Sequence, residues 1–269
     1  DVERSRGLGD VYKRQGISHA SLRPRLAVLD PQLTMTQPSG VTAAAGMDIL
    51  CHALESYTAK PYTEFAAKRA EERVPYCGAN PISDMWSREA VRLLATSFRT
   101  AVADGDDVDA RGAMALAATF AGMGFGNAGV HVPHACAYPI AGMVRDFRPD
   151  GYDADHPMVP HGMAVAMTAP AAFALLYPAD PGRHHELAAL LEPDTAGSDL
   201  GCDALPDALR RLMRDIGLPN GLVALGYSSS DLPQLVDGAM KQQRLLATAP
   251  VDLTETDVER VLRDSMTLW

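Results

Sequence analysis

Asp48-Ile-Leu-Cys-His52, taken with His131-Val-Pro-His134 and Pro160-His161-Gly162 in the middle of the chain, decides how the sequence is read. A carboxylate and an imidazole four residues apart project from one side of a helix about one turn apart. The later stretch gathers His131, His134, His156 and His161, four of the eight histidines, within residues 131–161. One Asp with three His is a donor set for a divalent transition metal, since imidazole and carboxylate together suit iron, zinc and their neighbours. The D-x-x-x-H spacing is weak by itself: Asp180 and His184 repeat it across Pro181-Gly182, on a segment that reads as exposed. Asp48 and His52 lie instead in an apolar, Ala-rich helix, where an unpaired carboxylate is costly to bury. Pro133-His134 and Pro160-His161 put imidazoles in the first turns of two further helices. Two helix starts and one helix flank can converge on one point. His19, His184 and His185 read as surface residues.

Outward from these stretches the pattern is helical from Pro38 onward, and the fold class expected is all-α. Val41 to Ala45 reads as a small-residue turn, Gly46 as a break, and Met47 to Tyr57 as a helix with Leu50, Ala53, Leu54 and Tyr57 at helical spacing; Asp48, His52 and Glu55 share one flank. Residues 58–79 are polar, hold Pro61 and Pro75, and read as a surface excursion. Asn80-Pro81 starts a helix to about Val102, with Asn80 as its cap. Asp106 is read as the cap of the next, whose body from Ala110 to Gly124 is rich in Ala and Gly and looks the most buried of the set. Further helices are expected from Pro133 to about Met143, His161 to Tyr177, Arg183 to Leu191, Ala204 to Ile216, Asp231 to Leu246 and Thr254 to Met266, the last opened by a capping box of Thr254 and Asp257. Upstream, residues 22–30 (LRPRLAVLD) read as one short strand closed by Asp30-Pro31. Residues 1–15 are charged and aperiodic, resemble a translated adapter sequence, and are set aside as non-native or unstructured.

A chain of 269 residues with 47% hydrophobic and 22% charged residues can bury a real core. Its net charge of −10 and the absence of basic clusters argue against nucleic acid or an anionic membrane surface as partner, and favour a small soluble ligand. Cys51, Cys77, Cys136 and Cys202 are widely spaced with no C-x-x-C, and nothing resembles a secretory signal, so a reduced, cytoplasmic setting is expected. No apolar run approaches the roughly 20 residues that span a bilayer. A homo-oligomer is compatible with all of this.

At the same residues the sequence resembles the iron-containing (group III) alcohol dehydrogenase family, and within it the hydroxyacid-oxoacid transhydrogenase branch. The family pattern G-x-D-x-L-x-H-A-x-E stands here as Gly46-Met-Asp48-Ile-Leu-Cys-His52-Ala-Leu-Glu55, and the two later ligands match His134 in Gly126-Asn-Ala-Gly-Val-His131-Val-Pro-His134-Ala-Cys-Ala-Tyr138-Pro139 and His161 in Val159-Pro-His161-Gly162. The resemblance therefore implies a metal held by Asp48, His52, His134 and His161, as Fe2+ or Zn2+, with NAD as hydride carrier. Many family members carry a further histidine four residues after the third ligand; here that position is Tyr138, a candidate catalytic group. His131, His156 and Asn127 are placed as groups that support the ligands or face substrate. The implied fold is the helical, metal-binding catalytic domain at 38–269, as in the dehydroquinate synthase-like class. By the same resemblance, residues 16–37, with the strand, are expected to be a remnant of an N-terminal Rossmann-like domain, with its pyrophosphate loop and most cofactor-binding residues expected outside this sequence. The implied activity oxidises 4-hydroxybutyrate to succinic semialdehyde and reduces 2-oxoglutarate to 2-hydroxyglutarate. A general NAD-dependent iron alcohol dehydrogenase and an inactive metal-binding fragment are the alternatives. A zinc-dependent glycerol dehydrogenase or dehydroquinate synthase relative is disfavoured by the His131 to Pro139 string. Arg145 and Arg148 are candidates for meeting substrate carboxylates, weighed against a merely solvated loop.

Overall fold

The computed structural model describes residues 20–22, 24–69, 74, 76–193 and 201–269; the readings for residues 1–15 and for His19 and Pro75 fall outside them. Helix follows helix: α1 Ser39–Thr58, α2 Pro81–Ala103, α3 Val108–Ala128, α4 Val132–Gly142, α5 His161–Leu176, α6 Pro181–Leu191, α7 Ala204–Asp215, the short α8 Gly221–Ala224, α9 Leu232–Met240, α10 Gln243–Leu246 and α11 Glu255–Asp264. Among the described residues there is no strand, only an isolated bridge between Pro61 and Ala79.

The strand expected at 22–30 is therefore not formed. Leu26 and Val28 are 79% and 82% exposed, and with no partner edge to take up its backbone groups the apolar run forms no ladder among the described residues. Asp30-Pro31 opens a 3-10 turn, Pro31–Thr34, in which the Asp30 carboxylate accepts from Gln32 N at 2.9 Å. Arg111, itself buried, ties this lead-in down by donating to the Gln37 carbonyl, Thr42 Oγ1 and the Gly105 carbonyl.

α1 is the central helix, packed on α2, α3 and α5. Gly46 does not break it. A Cβ there would lie 2.2 Å from the Phe98 ring, so the glycine is a packing slot and the cost of its backbone freedom is offset by burial. α2 begins as read: the Asn80 side chain accepts from Ile82 N and Ser83 N, and Ser83 Oγ accepts in turn from Asn80 N. α3 is capped by Asp107 rather than Asp106, through Ala110 N at 2.8 Å, while Asp106 N donates back to Asp104 in the turn. The most buried helix is α5, whose residues 162–173 are all buried; α3 keeps Leu116 and Met123 exposed. The residues His161–Ala179 form a helix apolar and long enough to cross a membrane, and 72% of that window is buried inside the protein, which marks it as a core helix. The helix read as continuous from Asp231 to Leu246 divides at Lys241–Gln242 into α9 and α10. α11 starts at the Thr254/Asp257 capping box.

Candidate metal centre

The flank of α1, the first turn of α4 and the first residue of α5 meet at one place. They bring Asp48, His52, His134 and His161 together. Gly162 is what lets α5 start flush against α1: a Cβ there would stand 2.0 Å from the Ala44 carbonyl oxygen and 2.7 Å from Asp48 Cβ. Asp48 Oδ1 is the hub, 3.4 Å from His134 Nε2, 3.7 Å from His52 Nδ1 and 3.8 Å from His161 Nε2. Four donors about 2.1 Å from one ion at tetrahedral corners stand about 3.4 Å apart, so these separations suit a shared cation. Ligand atoms of Asp48, His52 and His134 all lie within 4.8 Å of one another, with His161 on the rim. Phe125, near the end of α3, stacks on the His52 ring at 4.0 Å.

The donor set also passes a test on its own chemistry. Asp48 Oδ1 and His134 Nε2 are buried and have no hydrogen-bond partner, although a lone buried acceptor is expensive. A cation between them removes that cost. Side-chain exposure rises from 5% at His134 through 17% at His52 and 26% at Asp48 to 42% at His161, so the centre opens on the His161 side.

The electrostatics follow from burial and crowding. Burial works to raise the Asp48 carboxyl, but the His134, His52 and His161 imidazoles outweigh it and hold the group at about 2. Burial and the neighbouring His134 lower His52 to about 4, which keeps its ring neutral and ready to ligate. His134 goes the other way: burial lowers it, yet the Glu55 and Asp48 carboxylates together push it up to about 9.

Glu55 carries no role in the sequence reading beyond its place in the motif, and the structure puts it directly behind the centre. Its side chain is wholly buried, accepts from His131 N at 2.6 Å, and meets His134 Nδ1 at 2.6 Å. Burial raises its carboxyl and the two histidines reverse that, leaving it below the usual carboxylate range. His131 is buried behind His134. Thr58 Oγ1 spends its one proton on the Leu54 carbonyl at 2.8 Å, so at 3.0 Å it accepts from His131 Nε2, which fixes the His131 tautomer. Burial, outweighing Glu55, pulls the His131 pKa down to about 4.

Other candidates fall elsewhere. The Tyr138 ring, half-buried on α4, has its centroid 6.1 Å from that of His161. Asn127 is exposed near the end of α3, where its Oδ1 accepts from Asn80 Nδ2 at 2.8 Å and Cys77 Sγ at 3.2 Å. His156 sits on an exposed loop with Asp155 at 2.7 Å and is not brought to the cluster. Arg145 is spent on Asp231, and Arg148 on the carbonyls of Ala154 and Asp155, so neither guanidinium is aimed at the centre. The Asp180–His184 pair is a helix cap. Asp180 accepts from Arg183 N, and His184, 2% exposed rather than on the surface, meets the Asp180 carbonyl through Nδ1 at 2.8 Å. His185 pairs with the Tyr177 hydroxyl at 3.0 Å. A cavity of about 660 Å³ beside residues 62–68 and the start of α2 touches none of the four converging side chains.

Comparison with known proteins adds three findings. Residues 42–266 match the model of the Fe-containing alcohol dehydrogenase family, C-terminal. The mitochondrial hydroxyacid-oxoacid transhydrogenase of Bos taurus is 42% identical over 261 residues, 95% of this chain and 56% of the relative. Among solved structures, a 1,3-propanediol oxidoreductase superposes with a TM-score of 0.72 at 31% identity, over 88% of this chain and 54% of its own. The sulfoacetaldehyde reductase of Bifidobacterium kashiwanohense in complex with NAD+ gives 0.66 at 27%, over 87% and 52%. The chain thus spans about half the length of the curated relatives it matches.

Proposed function

The chain belongs to the iron-containing alcohol dehydrogenase family, and on that premise we propose that it is the metal-holding part of an oxidoreductase that moves a hydride from a hydroxy acid to an oxo acid. The proposed substrates are 4-hydroxybutyrate and 2-oxoglutarate, with succinic semialdehyde and 2-hydroxyglutarate as products. The observation that carries the reading is the convergence of Asp48, His52, His134 and His161, with two buried donor atoms that no protein group satisfies. Identity of 42% to transhydrogenases against 31% to the propanediol enzyme favours hydroxy and oxo acids over simple alcohols.

Asp48, His52, His134 and His161 are the proposed ligands. Iron is the proposed metal and zinc the alternative, since both accept three imidazoles and a carboxylate. Bound there, a divalent ion supplies Lewis acidity toward a substrate oxygen. The protein's own part is to keep His52 neutral, to hold His134 through its far nitrogen, and to cover the His52 ring with Phe125 so that water is kept from that side. Tyr138 is the proposed proton-exchanging group, its phenol beside the exposed His161 rim. NAD is the proposed hydride carrier, after the relative solved with NAD+. Residues 38–269 form the proposed metal-binding domain and 16–37 its lead-in. A reducing compartment suits four free cysteines; the relatives' names place those proteins in mitochondria.

Deuterium at C4 of 4-hydroxybutyrate tests the activity. The full-length protein should deliver it to C2 of 2-hydroxyglutarate when 2-oxoglutarate is present, and the Asp48→Ala variant should not. Turnover that leaves the product unlabelled would refute the proposal.

A further inference from the structure

We infer that Glu55 is a positioning residue that decides which nitrogen of His134 faces the metal, and that the same carboxylate pins the start of α4; the inference rests on the metal-centre reading above. Glu55 is 0% exposed and pairs with no Lys or Arg among the described residues; what it holds are donors of the site itself. Oε2 takes the backbone N–H of His131 at 2.6 Å and approaches that of His134 at 3.5 Å. Oε1 lies 2.6 Å from His134 Nδ1. A carboxylate accepts and does not donate, so Nδ1 must keep its proton, and when the ring gives up a proton to a metal it is Nε2, on the side facing Asp48 3.4 Å away, that presents the lone pair. Free backbone N–H groups at a helix start also favour a negative partner. One buried side chain therefore sets the ring's tautomer and the position of the helix that carries it.

The amide isostere cannot do both. In Glu55→Gln the carbonyl oxygen can serve the His131 N–H, but the amide N–H₂ then faces His134 Nδ1 and favours the opposite tautomer. That tautomer points an Nε2–H at Asp48, a hydrogen bond that competes with the metal. Losing such an orienting partner typically costs 10- to 100-fold in metal affinity.

The test is Zn2+ affinity by chelator competition, with the visible spectrum of the Co2+ form as a second readout, on the wild-type chain and Glu55→Gln. The expected result is tight binding by the wild type, binding 10- to 100-fold weaker in the variant, a changed Co2+ spectrum, and apo forms of matching circular dichroism. A folded variant with wild-type affinity and spectrum overturns the role of Glu55 and leaves the metal centre standing. A wild type that binds neither ion overturns the centre itself. Should Glu55→Gln not fold, ¹⁵N spectra of histidine-labelled, Zn2+-loaded wild type decide: Nε2 ligation with a proton on Nδ1 of His134 is expected, and ligation through Nδ1 refutes the inference.

Discussion

Adding one methyl group at Gly162 should weaken the metal centre without touching a ligand. In Gly162→Ala the new Cβ would lie 2.0 Å from the Ala44 carbonyl oxygen and 2.7 Å from Asp48 Cβ. A C···O contact relaxes to about 3.3 Å, so the start of α5 must retreat from α1 by about 1.3 Å. Metal–ligand bonds tolerate about 0.2 Å. His161, the residue next to Gly162 and already 3.8 Å from Asp48 Oδ1, is the ligand that leaves. We expect at least a 10- to 100-fold loss of Zn2+ affinity, or about 1.4–2.7 kcal/mol. Overpacking of this kind costs a further ~1–3 kcal/mol of stability, a fall in Tm of roughly 2–12 °C for a chain of this size. Chelator competition and thermal melts of the apo form read the two effects separately. Gly122→Ala is the control: that glycine, on α3, has nothing within 4 Å, and alanine there should leave affinity unchanged and stability equal or slightly raised. Wild-type affinity in Gly162→Ala would refute the argument that helix approach places His161.

Metal loading should release protons in a pH-dependent way. With His134 held at about 9 by Glu55 and Asp48, the metal-free ring is protonated at pH 7.5 and must give up one proton on ligation, whereas His52, at about 4, gives none. Affinity should then rise about tenfold per pH unit from pH 7 until it levels near pH 9, and titration calorimetry in buffers of different ionisation enthalpy should count about one proton at pH 7.5. Phe98→Ala should cost ~3–5 kcal/mol, because the ring is fully buried against Gly46; a loss under 1 kcal/mol by denaturant melt would contradict the packing-slot account. His156→Ala should leave metal content and stability within error, since the ring is an exposed loop group.

The readable parts of this chain are those where function or structure is local. Asn80-Pro81 and Thr254-x-x-Asp257 announce helix starts because a cap is a contact over two or three residues, and both caps form. Asp48 and His52 could be paired from their spacing together with the apolar, Ala-rich helix around them, because one helix carries both. Gly46 misled because its intrinsic preference is to break a helix, while its reason for being there is the ring of Phe98, 52 residues away in sequence. His184 and Asp180 look like ligands by spacing, yet the same spacing is what a helix's first turn offers to its own cap. The run at residues 22–30 has strand composition, and composition cannot supply the neighbouring strand that would make it one. Glu55 was quoted within the motif and given no task, because its partners lie 76 and 79 residues onward and only the packing of α4 on α1 brings them to it.

Metal content tests the account most directly. Elemental analysis of anaerobically purified wild type should give about one iron or zinc per chain, with Asp48→Ala and His134→Ala folded by circular dichroism and both losing it. A folded wild type without stoichiometric metal, or metal retained in full by both variants, would contradict the site built from Asp48, His52, His134 and His161.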